Sequence, residues 1–186
     1  MKQVNNKVAG ALIFVGATQF ILCMLIAECI YSNYSISENY ISDLGKIGEV
    51  SAPVFNTSVF VLGLTVVAGA YFLRQTIANK FFLCLLILCG VGAMGVGIFP
   101  EDFGPIHLAV SLIAFLFGAL SAIASYKFQK APLSYFAVVL GLISLAALIL
   151  FGLKMDLGLG VGGMERMIAY PILLWAIGFG GYLIKE

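Results

Sequence analysis

His107 is the single histidine of the chain, just after the acidic pair Glu101-Asp102 and one helical turn before Ser111. An imidazole titrates near neutral pH, so at the mouth of a helix it can serve as a proton carrier or general base. Ser42 and Asp43, adjacent in a separate polar stretch, complete the residue types needed for hydrolysis or acyl transfer. Glu165-Arg166 follow a run of glycines and open an apolar segment. The planar donor fork of arginine suits a carboxylate or another anion. Asn56, with Thr57 and Ser58, places hydrogen-bonding groups at the start of a further apolar segment. The catalytic candidates are therefore Ser42, Asp43 and His107, and the ligand-binding candidates Asn56, Glu101, Asp102, Glu165 and Arg166. Each has a plainer reading: solvated loop charges, a hydrogen-bonded interfacial histidine, an interfacial ion pair, or polar contacts between helices.

No cofactor or metal is expected. One histidine cannot supply the several imidazoles of a catalytic zinc, and a haem held by two histidines would require a second chain. Cys23, Cys29, Cys84 and Cys89 lie in or at the ends of apolar runs without a CxxC pair, and read as packing residues. Gly90-Val-Gly92-Ala-Met-Gly95 spells GxGxxG, but inside an apolar run with no preceding strand it is not a nucleotide loop.

The elements that must position these residues follow from composition. Of 186 residues 62% are apolar and 10% charged, with a mean hydropathy of +1.08. A soluble domain needs about a quarter of its residues charged, so lipid must surround this one. A net charge of +1 gives no electrostatic footprint for nucleic acid. Apolar runs cover 8–31, 52–73, 81–99, 106–126, 134–153 and 167–184. Each approaches the ~20 residues that carry a helix across the hydrocarbon core, and none alternates as a barrel strand would. The expected fold is an all-α polytopic bundle of six transmembrane helices in one domain spanning 1–186. The first run is too long for the hydrophobic part of a signal peptide and reads as a retained helix.

Seven basic residues, Lys2, Lys7, Arg74, Lys80, Lys127, Lys130 and Lys185, fall at one set of helix ends, beside Glu186. Three, Lys46, Lys154 and Arg166, fall at the other with most of the acids. The positive-inside rule then places both termini in the cytoplasm of a cell-membrane protein and the loop 32–51 outside. In that loop Ser35 and Glu38 have capping-box spacing and Gly45 suits a stop, which predicts a short amphipathic helix on the outer mouth. Asn33-Tyr34-Ser35 and Asn56-Thr57-Ser58 match the glycosylation sequon, the first in an exposed loop. In the fourth run Ser111, Ala114, Gly118, Ala122 and Ser125 form a small-residue stripe suited to close helix approach.

Ile41-Ser42-Asp43-Leu44-Gly45, then Pro53 and Phe55-Asn56, form one group of motifs. Phe99-Pro100-Glu101-Asp102 with His107, and Gly162-Gly163-Met164-Glu165-Arg166, form two more. Together they resemble the domain-of-unknown-function family 998, six-helix prokaryotic integral membrane proteins. The resemblance implies six helices over nearly the whole chain and brings no activity with it.

Three functions remain open. The first is an outward-facing polar pocket for a lipid-like or amphiphilic molecule, as a binding protein or a membrane hydrolase, with His107, Asp43 and Arg166 converging on one cavity. There Arg166 would pair with Asp43 or Glu165. The second is an accessory subunit of a membrane complex or homo-oligomer, and the third a small transporter, for which the midplane offers few ionisable groups. A lipid that copurifies in an outer cavity would separate the first two.

Overall fold

The computed structural model describes residues 2–185, so Glu186 lies outside the described residues. Six α-helices run in order: α1 (Lys2–Ile30), α2 (Ala52–Leu73), α3 (Lys80–Ile98), α4 (Pro105–Ala124), α5 (Leu133–Gly152) and α6 (Gly160–Lys185). All six contain windows long and apolar enough to cross a membrane. Each helix packs against its neighbours in sequence, and α6 closes the ring against α1 while also touching α4. The first and last described residues lie at one end of the bundle, with the α2–α3 and α4–α5 connections. The opposite end, termed the loop end below, carries residues 31–51, 99–104 and 153–159.

The expected spans hold to within a residue or two for α2, α3 and α5, while α4 continues as a 3-10 turn, Ser125–Phe128. At α6 the structure departs from expectation. Residues 160–163, read as loop because of their glycines, form its first turn. Loop 31–51 lies directly against that turn: Gly162 N–H donates to Ser37 O at 3.0 Å, and a Cβ on Gly162 would strike the carbonyl of Asn39. The glycines thus allow backbone to lie on backbone. As a result Glu165 and Arg166 sit in the second turn of α6, buried, rather than at its exposed start.

The amphipathic helix expected in the loop is replaced by turns and one 3-10 turn, Ser42–Gly45, with all four residues buried. Side chains intercept the backbone groups that a helix would pair. Ser35 N–H donates to Asn39 Oδ1 at 3.0 Å, taking the place the capping box gave to Glu38. Tyr40 N–H donates to Asp43 Oδ2 at 2.9 Å. Short polar side chains compete with helix in this way.

In lipid no hydrophobic drive brings helices together, so small residues and buried hydrogen bonds must do so. Trp175 Nε1 and Gln129 Nε2 both donate to Ser125 Oγ, at 2.9 and 2.7 Å. Ser144 Oγ donates to Ile168 O at 2.8 Å, joining α5 to α6. At the termini end Trp175 stacks on Phe179 with centroids 5.5 Å apart, and Phe82 meets both Phe179 and Phe128. The α4 stripe is enclosed at Gly118 and Ala122, with Gly118 facing Ile172 of α6 and Cys89 of α3.

Gly92 marks the tightest contact between α3 and α4: a Cβ there would lie 2.5 Å from the Ala114 nitrogen, which cannot yield. Gly92→Leu should lower the unfolding midpoint in detergent, costing about 2 kcal/mol or more. Gly181→Ala, with open space around it, should be neutral or stabilising by up to about 1 kcal/mol. Equal melting of the two variants would mean that α3 and α4 are not so closely packed.

Candidate functional site

The loop end is organised around Arg166, which is 5% exposed. One terminal nitrogen donates to Ile36 O and Gly162 O, each at 3.0 Å, and more distantly to Asn39 O. The other donates to Glu28 Oε1 at 2.6 Å and to Tyr34 Oη at 2.7 Å. Tyr34 in turn donates its hydroxyl to Tyr40 O at 3.0 Å. Burial drives the Tyr34 phenol up to about 12, against the lowering effect of Arg166, so it stays a donor. Arg166 therefore ties α1, α6 and the loop together. Its carboxylate partner is Glu28, not Asp43 or Glu165, because α1 and α6 are neighbours in the ring. Its terminal N–H groups are committed within the protein, which leaves no fork for an anionic ligand.

Most of the other candidates also hold the loop. Asn56 Nδ2 donates to Gly45 O at 2.9 Å, and Asp102 Oδ2 accepts from Ile47 N at 2.8 Å. Glu165 Oε2 accepts from Ile41 N at 2.5 Å. Asp43 Oδ2 also accepts from Asn39 Nδ2 at 3.1 Å, while Oδ1 meets the Lys46 ammonium at 2.5 Å. Burial alone would raise the Asp43 carboxyl; hydrogen bonds from Lys46 and Asn39 outweigh it and hold the group below its ordinary range. Lys46, also 3.7 Å from Glu101, is raised chiefly by its bond with Asp43. Glu101 is raised first by its burial and then by neighbouring Asp43. These groups satisfy backbone and each other where an unpaired one would be costly.

A second set faces empty space. A cavity of about 570 Å³ lies between α4 and α5 under the loop. Its polar end is formed by Tyr40, Ser42, Glu101, His107, Ser111 and Glu165, and its apolar wall by Leu108, Leu112, Phe115, Leu148 and Phe151. Ser42, His107, Ser111, Phe115 and Glu165 also border a smaller, mainly apolar cavity of about 90 Å³ toward the bundle axis. Neither Asp43 nor Arg166 lines either space. Of the three residues expected to converge, His107 alone lines the cavity, beside Ser42, Glu101 and Glu165; Asp43 and Arg166 lie elsewhere.

His107 is 8% exposed. Its Nδ1 lies 2.8 Å from Phe99 O, and because a carbonyl only accepts, Nδ1 carries the proton. Nε2 of the neutral ring is then an acceptor, 3.2 Å from Ser111 Oγ. Ser42 Oγ donates instead to Glu101 Oε2 at 3.2 Å, so Ser42, Asp43 and His107 do not form a relay. Ser111 had been placed in a packing stripe; its spacing of four from His107 was the available signal.

The family model for proteins of unknown function DUF998 matches residues 14–182, from the first turns of α1 almost to the end of α6. The chain belongs to the DUF998 family. No curated protein and no solved structure matches it. In this DUF998 protein all three motif groups converge on the loop end: 41–45 and 55–56 meet at Gly45 and Asn56, 99–107 at His107, and 162–166 beneath the loop.

Arg166→Met would leave the half-buried Glu28 without its counter-charge and the loop carbonyls without their donor, a loss of up to about 3–5 kcal/mol. The variant should melt earlier and be cut faster by proteases within 31–51. Wild-type resistance to digestion would mean that the loop holds without the guanidinium.

Proposed function

We propose that the protein binds a lipid-like amphiphile in the cavity between α4 and α5, from the outer leaflet of the cell membrane. The supporting observation is the cavity's polarity: polar side chains collect at the loop end and leucines and phenylalanines run below them. Leu108 and Leu112, on its wall, are 65% and 49% exposed on the bundle's apolar surface, which gives an acyl chain a lateral entry. A volume of 570 Å³ falls within the usual range for small-ligand sites. No lysine or arginine lines the space, whereas Glu101 and Glu165 do. The ligand's head is accordingly an uncharged polyol or an ammonium group rather than a bare phosphate.

The outward orientation rests on the basic residues, which flank the connections at the termini end. It is tested with single cysteines in a background whose four native cysteines are replaced by alanine. Cysteine at Glu38 or Asp156 should react with an impermeant maleimide in intact cells, and cysteine at Ala78 only after permeabilisation. The reverse pattern would invert the assignment.

For the ligand, native mass spectrometry of protein extracted in mild detergent should show a bound amphiphile. Leu112→Trp, which fills the wall, should reduce occupancy at least tenfold; Leu142→Trp, outside the cavity, should not. Equal occupancy in both variants, or no adduct in the wild type, would refute the reading.

A further inference from the structure

We propose that Ser111 and His107 form a nucleophile–base pair that transfers the acyl group of an ester amphiphile. This inference rests on the amphiphile-binding reading of the same cavity. Its first support is how Ser111 differs from hydroxyls that are spent on their own helix backbone. Ser58, Thr65 and Ser125 each return their proton to the carbonyl three residues back, at 2.8, 2.8 and 2.6 Å, the usual disposal of a hydroxyl within a helix. Ser111 instead meets an imidazole nitrogen at 3.2 Å, and both residues face the cavity.

The second support is the state of that imidazole. Phe99 O fixes the proton on Nδ1, so the nitrogen turned to Ser111 is the basic one. Nucleophile, base and a third group that orients the base are thus present, with a backbone carbonyl as the orienting group. The third is depth. Ser111 lies four residues, about 6 Å, farther into the bundle than His107, which suits an ester just below a headgroup held by Glu101 and Glu165. Tyr40 lines the cavity, its phenol hydroxyl makes no hydrogen bond among the described residues, and it is the donor proposed for the carbonyl oxygen.

In the first step Ser111 Oγ bonds to the ester carbonyl carbon as its proton passes to His107 Nε2. The carbon–oxygen bond to the alcohol breaks, and the alcohol leaves with the proton from Nε2. In the second step a hydroxyl acceptor, either water or a second amphiphile, bonds to the acyl carbon, the bond from that carbon to Ser111 Oγ breaks, and the acid or new ester leaves. The acceptor's proton moves to Nε2 and then to Ser111 Oγ, which restores the enzyme.

The test uses the full chain in lipid nanodiscs with an alkyl fluorophosphonate, which phosphonylates activated serines. The label should map to Ser111, be absent in Ser111→Ala, and form at least a hundredfold more slowly in His107→Ala. Ser111→Ala loses one oxygen and should fold and retain bound amphiphile, which native mass spectrometry checks. A wild type that binds amphiphile but takes no label, or a label that persists in Ser111→Ala, overturns the pair and leaves the cavity assignment intact. Absence of the amphiphile adduct from the wild type would overturn that assignment separately.

Discussion

A single guanidinium decides the shape of the loop end. Residues 31–51 return along the top of a bundle whose walls face lipid, so their peptide groups need partners supplied by the protein. Arg166 serves carbonyls at Ile36, Asn39 and Gly162 and joins them to Glu28 and Tyr34. A buried charge is tolerable when countered and hydrogen-bonded; here both terminal nitrogens are bonded, and the countering acid comes from the helix that closes the ring. The remaining clamps, Asn56, Asp102 and Glu165, act on a segment whose path Arg166 has already set.

Much of the fold was legible because the bilayer imposes one length and one polarity on every span. The beginning of α6 was not. Glycines at 160–163 signal a loop by local preference, and only the loop packed over them makes helix there useful. The short outer helix failed for the converse reason: its pattern was amphipathic, yet Asn39 and Asp43 offered the backbone nearer partners. The first misreading turns on a contact between segments more than a hundred residues apart, which spacing along the chain does not record; the second turns on bonds only three or four residues long.

The same limit divides the candidate site. Residue types identified polar groups worth examining, and the loop end does contain them all. Type alone did not separate clamps from groups that face a cavity. Arg166 and Asp43 look chemically potent because they are charged, yet charge buried beside a membrane attracts partners and is used up by them. His107 differs because its two ring nitrogens have unequal neighbours. Ser111, uncharged and set among alanines, drew notice only as a small residue.

The aromatic cluster of Phe82, Phe128, Trp175 and Phe179 occupies the termini end, opposite the cavity. These packed rings fill the bundle below the cavity at the loop end. On the proposed reading, a molecule that enters beside α4 withdraws by the route it took. Such a compartment would sample the composition of one leaflet alone, and leave the asymmetry between the two leaflets undisturbed.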